Sequence, residues 1–241
     1  MDTDAFDKYG TGEYWQKNQD KITLVCTSHN PNMNLFQKML DSTYSREGQL
    51  FDDRIIHWNE KLIRVSRGKE EKIISHTGSY SIADAYNSLI EKFVETEWIC
   101  CFCDDDYFYP EGLTNMITEI KHGNARDYDV AHFKFHISGY VPPQDKRCWF
   151  GRREYDLCEK KPITPKLLEK HNRMPAGSFF RKSAWEKVNG FQGDKFHDWD
   201  LWKRMSQAGC KFKYFDHVVY NMVRRPTGAW LRQNAGLHQK P

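Results

Sequence analysis

Compact apolar runs and apolar stripes at helical spacing alternate along this chain. Lys21-Ile22-Thr23-Leu24-Val25-Cys26-Thr27 is a β-rich run that breaks into the turn-forming cluster Ser28-His29-Asn30-Pro31-Asn32. Leu35, Phe36, Met39 and Leu40 then recur at helical spacing, so the segment reads strand, loop, helix. Asp53 to Trp58 predicts a second strand ending in Asn59-Glu60, and the basic polar stretch from Lys61 to Lys72 reads as loop and edge structure. Ser81 with Asp84 three residues on forms a capping-box pattern, and Ile82, Tyr86, Leu89, Ile90 and Phe93 mark one apolar helix face. That helix leads into Glu97-Trp98-Ile99-Cys100-Cys101-Phe102-Cys103, an almost unbroken apolar run suited to a strand buried on both faces of a mainly parallel sheet. Strands alternating with helices predict an open α/β sheet.

The second half has a different rhythm. Asp129 to Ile137, with Phe133, Phe135 and Ile137 on alternate positions, predicts a half-exposed strand, followed by a polar, basic loop through Lys161 that is a candidate lid. Met174 to Phe180 precedes Ser183-Ala184-Trp185-Glu186, a capping-box pattern opening a helix that Gly190 closes. Phe196 to Met205 predicts another helix, with Leu201, Met205 and Ala208 on one face, Gly209 at its end and Asp198 near its N-terminus. Phe212 to Tyr220 is the last expected strand. Residues 1–20 read as an N-terminal arm, 21–230 as one domain and 231–241 as a C-terminal tail, with no internal repeat.

Composition narrows the class. A chain of 241 residues, 39% hydrophobic and 15% aromatic, can bury one good-sized core. The formal net charge of +3 is too slight to call for a polyanionic partner. No apolar run approaches a membrane span, and Met1-Asp2-Thr3-Asp4 is unlike a signal peptide, so the expectation is a soluble, cytoplasmic protein. Cysteines 26, 100, 101, 103 and 210 sit within or beside predicted strands as small apolar residues would, and an odd total of 7 fits reduced thiols. Cys101-Phe102-Cys103 lacks the two-residue gap of zinc-binding pairs.

The chemistry begins where the buried strand ends, at Asp104-Asp105-Asp106. Ligands of parallel sheets gather at the strands' carboxyl ends. Three adjacent carboxylates there repel one another and raise their own pKa values unless a cation or basic side chains offset the charge. Oxygen ligands favour Mg2+ or Mn2+ over Zn2+. On the residues alone, a metal site and an acidic turn capping the next helix remain open, as do a capping and a catalytic role for Asp198.

In collinear order over residues 21–230 the motifs resemble the GT-A-fold nucleotide-sugar glycosyltransferases, in particular the inverting family 2 group. Thr27-Ser28-His29-Asn30 sits where that family has its first-strand loop, and Ala83 to Asn87 matches the helix before its metal strand. Asp104-Asp105-Asp106 matches the Asp-x-Asp motif, Met174 to Phe180 resembles the acceptor-side strand, and His197-Asp198-Trp199-Asp200-Leu201-Trp202 is similar to the family's Glu-Asp-x-Asp-Leu-Trp. Tyr220 to Gly228 resembles its closing segment. The resemblance implies a GT-A, Rossmann-like sheet, mixed but mainly parallel, with flanking helices in a single domain. It assigns 21–110 to a nucleotide-sugar-binding half and 111–230 to an acceptor-binding half.

The implied function is a metal-dependent inverting transfer of a hexosyl or pentosyl group from a nucleoside diphosphate sugar to an acceptor hydroxyl, by default on a glycan. Mn2+ or Mg2+ would be held by Asp106, with Asp104 touching the ribose or a metal-bound water. Thr27, Ser28, Asn30, Asn59, Asp104, Asp105, Arg224 and Arg225 would face the donor, and Gly177, Ser178, His197 and Trp199 the acceptor. Asp198 would be the catalytic base. Trp58-Asn59-Glu60-Lys61 replaces the family's usual Asp-Asp-Gly-Ser, which leaves the donor's base open, and His197 replaces the Glu before the base. The basic and aromatic segments Lys146 to Arg153 and Arg224 to Arg232 suggest two alternatives, transfer to a hydroxylated base of duplex DNA or a non-catalytic nucleic-acid-binding module. A metal-dependent phosphohydrolase would want more ligands than the sequence offers.

Overall fold

The computed structural model of the chain describes residues 20–28, 31–45, 48–58, 61–66, 72–75, 81–139, 153–155, 163–170, 172, 174–193 and 196–224. The first half runs β1 (Ile22–Ser28), α1 (Met33–Asp41), a small hairpin of β2 (Tyr44–Ser45) and β3 (Gly48–Gln49), β4 (Asp53–Trp58), β5 (Lys61–Ser66), β6 (Lys72–Ser75), α2 (Ile82–Phe93) and β7 (Trp98–Phe102). The second runs β8 (Tyr107–Phe108), α3 (Pro110–Lys121), β9 (Val130–Gly139), β10 (Arg153–Tyr155), α4 (Pro165–Lys170), β11 (Phe179–Arg181), α5 (Lys182–Lys187), α6 (His197–Gln207) and β12 (Phe212–Arg224).

Ten strands form one sheet in the order β6-β5-β4-β1-β7-β11-β9-β12-β8, with β10 paired to β9. β4 and β7 lie parallel to β1, and β12 lies parallel to β9. Because β11 is antiparallel to both β7 and β9, those two run the same way across it. With β6, twice reversed from β4, six of the ten strands share one direction, so the sheet is mixed and mainly parallel as expected. The carboxyl ends of β4, β1, β7, β9 and β12 therefore meet at one edge.

Helices cover both faces. Phe36 and Met39 of α1 and Leu113, Met116, Ile117 and Ile120 of α3 pack on Leu24, Cys100 and Phe102. On the opposite face, Tyr86, Leu89 and Ile90 of α2, with Leu168 of α4, Trp185 of α5 and Leu201, Trp202 and Met205 of α6, pack on Val25, Ile99 and Cys101. This two-sided cover is why β7 is buried at every residue. Among the described residues no helix is long and apolar enough to cross a membrane.

Several local readings change under tertiary contacts. The stretch expected as loop and edge structure contains β5, paired antiparallel to β4, and leads at Lys72 into β6, the terminal strand of the sheet. β9 alternates as expected from Phe133 to Ile137, with Lys134 and His136 partly exposed, but its first four residues are all buried, because there it lies between β11 and β12. Ser81 caps α2 by accepting from the Asp84 amide at 3.1 Å, yet Ile82 beside it is 45% exposed and leaves the apolar face. Ser183 caps nothing. α5 starts directly after β11 with Arg181 at its N-cap, and the Ser183 hydroxyl donates to buried Glu97 Oε1 at 3.3 Å. Gly190 and Gly209, with φ of +71° and +77°, follow α5 and α6 in the left-handed region that suits glycine.

β12 runs four residues past the expected Tyr220 and is irregular. Opposite consecutive β9 residues Phe133, Lys134 and Phe135 stand Phe215, Val218 and Tyr220, with register shifts at both steps. The extra residues invert the side-chain alternation, so Phe215 and Tyr220 both pack into the cluster that holds Phe133 and Phe135. α3 lies tight against this irregularity: a Cβ at Gly112 would run into the Val218 carbonyl oxygen.

His132 on β9 is 1% exposed, and its Nδ1 is buried without a hydrogen-bond partner. Burial pushes its pKa down to about 4. The unfolded chain takes up this proton near 6.5 and the folded chain only near 4, so the unfolded state binds more protons between these values and stability rises with pH across that window. Chemical denaturation across that window should lose about 3 kcal/mol from this residue on acidification. His132→Leu should flatten that part of the profile, and an unchanged slope in the variant would place its origin elsewhere.

Candidate functional site

β7 delivers its carboxyl end between two other elements. On one side lies the end of β1, where Ser28 Oγ donates to Asp104 Oδ2 at 2.5 Å, and Thr27 Oγ1 lies 3.3 Å from His57 Nδ1. On the other side, β8 follows the carboxylates at once and pairs with β12, Phe108 opposite Tyr220 and Tyr107 opposite Asn221. Phe102 and Phe108 stack beneath the intervening turn with ring centroids 3.8 Å apart. The chain thus bends tightly over an aromatic floor, and the carboxylates are held at the rim.

Asp106 is 5% exposed and accepts two hydrogen bonds from β12, from the Tyr220 hydroxyl at 3.1 Å and the Val223 amide at 2.7 Å. Burial raises its pKa well above the ordinary carboxylate range, Asp105 and Asp104 raise it further, and the Val223 and Tyr220 hydrogen bonds offset only part of this. Cys103, Asp105 and Asp106 each present a ligand atom within 4.8 Å of the others. Burial and then the charges of Asp106, Asp105 and Asp104 push the Cys103 thiol up as well. Two carboxylates and a sulfur this close together form a donor set that could hold a divalent cation. Asp105, not Asp104, is the carboxylate grouped with Asp106; Asp104 is engaged by Ser28.

Tyr86 of α2 donates to the Phe102 carbonyl at 2.9 Å. Gly177 is packed so closely that a Cβ would stand 2.7 Å from the Phe102 ring, and its carbonyl accepts from the Cys100 thiol at 3.2 Å. Ser178 is fully buried and its hydroxyl donates to Pro175 O at 2.9 Å.

α6 opens from Phe196, whose left-handed φ of +52° turns the chain into the helix. Asp198 lies in the first turn, half-buried, and its Oδ2 accepts from Asn172 Nδ2 at 3.0 Å. Burial raises the pKa of Tyr220, and the charge of Asp106, to which its hydroxyl donates, adds to the rise. The His197 ring sits 5.9 Å from Tyr86 and 5.8 Å from Phe191; burial lowers its pKa while Asp198 works against that. Trp199 donates to Leu168 O at 2.6 Å and ties α6 to α4. Trp202 is fully buried in the core.

Arg224 ends β12, 9% exposed. Asn30, Asn59 and Arg225 lie outside the described residues, as do residues 140–152 and 225–241, with the two basic and aromatic segments almost whole. Sequence reasoning passed over Tyr220 and Asn172, and read Cys103 as a small apolar residue. A signal for Tyr220 existed, since it opens the closing segment.

No protein-family model matches the chain, and no curated protein matches it. Solved structures do. S. aureus TarS 1-349 superposes with a TM-score of 0.59 at 14% identity, over 84% of this chain and 60% of that one. The same protein in complex with UDP-GlcNAc gives 0.58 at 13%, over 87% and 60%, and in complex with UDP 0.57 at 14%, over 86% and 61%. The chain spans about 60% of the length of these structures. At such identity the likeness shows the fold, which is the GT-A fold the motifs led us to expect.

A raised carboxylate pKa means that the folded state holds the Asp106 proton more tightly than the unfolded state, so ionised Asp106 opposes folding and the cost grows as pH rises above the ordinary carboxylate range. In chelator at pH 7, Asp106→Asn should therefore melt higher than wild type, with the advantage fading on acidification. A melting temperature equal to or below wild type would show that the buried charge is already compensated.

Proposed function

We propose that the chain is a metal-dependent inverting glycosyltransferase that moves a sugar from a nucleoside diphosphate sugar to an acceptor hydroxyl on a glycan. One juxtaposition supports this reading: the Cys103, Asp105 and Asp106 group follows the end of β7 at the carboxyl edge of a GT-A sheet, and Tyr86, bonded to the Phe102 carbonyl there, packs against His197, the residue before Asp198. Asp105 and Asp106, with the Cys103 sulfur beside them, would hold Mn2+ or Mg2+, which when bound offsets the charge of a leaving diphosphate. Ser28 keeps Asp104 turned to the β1 side, in position for the donor's ribose.

Asp198 takes the proton. As the acceptor oxygen forms its bond to the sugar's anomeric carbon, the bond from that carbon to the diphosphate oxygen breaks on the opposite face, and the hydroxyl proton passes to an Asp198 Oδ. Asn172 donates to one of those oxygens and fixes the carboxylate's direction. The aromatic packing of His197 against Tyr86 and Phe191 sets the helix end against the β7 terminus.

UDP-GlcNAc and UDP in the TarS structures make uridine diphosphate sugars the first donors to test. The expected result with a nucleotide-sugar panel and Mn2+ is release of nucleoside diphosphate that stops in excess chelator. Release of monophosphate or inorganic phosphate would point to hydrolysis of the donor instead. Asp198→Asn should lower kcat about a hundredfold or more while donor affinity stays within about threefold. If donor affinity fell in step with turnover, Asp198 would be a donor ligand or a helix cap, and the base would lie elsewhere.

A further inference from the structure

The Tyr220 hydroxyl has no role in the reaction as written, yet its placement takes unusual backbone. The register shifts between Phe215 and Tyr220 reverse the alternation of β12. Without them Tyr220 would face away from Phe215; with them its ring lies edge-on to Phe102, centroids 5.3 Å apart, and 5.5 Å from Phe135. Strand bulges of this kind commonly re-aim one side chain beside a functional site. The residue is 1% exposed, so its hydroxyl faces the protein and donates to Asp106 Oδ2. Beyond the irregularity the strand is regular again, and this brings the Val223 amide onto Oδ1 of the same carboxylate.

One neutral donor on each oxygen fixes the plane of the Asp106 carboxylate. A carboxylate has about four acceptor positions, so two remain for other ligands. Groups that orient a metal's ligand without touching the metal typically change affinity by about 10–100-fold when removed. We propose that Tyr220 is a positioning residue for the cation, aimed by the bulged β12 to hold Asp106 in the orientation that completes the group with Asp105 and Cys103. This rests on the metal-dependent reading of the site. It also makes β12 a working part of the cation centre, since both outer donors come from that strand.

Tyr220→Phe removes the hydroxyl and keeps the ring that packs on Phe102 and Phe135. Mn2+ binding to the full chain, followed by calorimetry and by the paramagnetic resonance of free Mn2+, is the direct test. The variant should bind Mn2+ about tenfold more weakly than wild type, while its melting temperature in chelator falls only by the few degrees that loss of one hydrogen bond to a buried carboxylate accounts for. A loss of the same size in kcat/KM at limiting Mn2+, recovered at high Mn2+, would separate positioning from damage to the fold. Equal Mn2+ affinity in variant and wild type would overturn the assignment of Tyr220 and leave the metal reading standing. Failure of the wild-type chain itself to take up Mn2+ or Mg2+ at millimolar concentration would overturn both.

Discussion

Burying negative charge is the constraint on which this molecule turns. Asp106 stands at the end of a strand with no exposed residue, beside two further carboxylates, and its neighbours are arranged around that difficulty. β1 contributes the Ser28 hydroxyl, and β12 contributes a hydroxyl and an amide. These neutral donors reduce the cost without cancelling it, since the Asp106 pKa remains well above normal. What remains of that cost is what a cation, as proposed above, would offset.

The same edge of the sheet carries the first turn of α6 with Asp198, and the two groups are joined mechanically. Tyr86 links α2 to the last carbonyl of β7 and also lies against His197 in the first turn of α6. Asn87, the next residue, accepts from the Phe191 amide at 2.8 Å and donates to its carbonyl at 2.8 Å, fixing the segment that leads into α6. One helix therefore sets the distance between the carboxylate group and Asp198. The contacts are packed and hydrogen-bonded, so the relation between these groups is a property of the core.

Much of this was legible in the chain because burial and charge leave a plain trace. An apolar run ending in Asp104-Asp105-Asp106 reads as a buried strand that brings carboxylates to its carboxyl end, and the burial of β7 and the placement of Asp106 agree with that. α2 and α6 were readable from spacing and end signals. What escaped depended on partners distant in sequence. Ser183-x-x-Glu186 has the local form of a cap, but β11 runs straight into α5 and Glu97, 86 residues away, takes the hydroxyl. The alternation of Phe133, Phe135 and Ile137 shows one buried face of β9; the burial of Val130 on the other depends on a second helical layer, and buried His132 lies beside Tyr214 of β12, neither of which periodicity records. Tyr220 was hidden because the irregularity in β12 defeats the alternation on which strand reading relies.

The outer end of the sheet has a consequence for solubility. β12 is 13 residues long, yet β8, the terminal strand beyond it, pairs with it only at Tyr220 and Asn221. Among the described residues the Tyr109 amide also donates to the Val219 carbonyl at 2.8 Å, and a strand left bare at such an edge would present amide and carbonyl groups that another chain could extend into a shared sheet. The displaced register and the close seating of α3 at Gly112 against Val218 interrupt that row, so no continuous ladder is offered to a neighbour. The distortion that turns Tyr220 inward thereby also guards the flank of the sheet against self-association, and straightening β12 would expose the protein to aggregation as well as disturb its carboxylates.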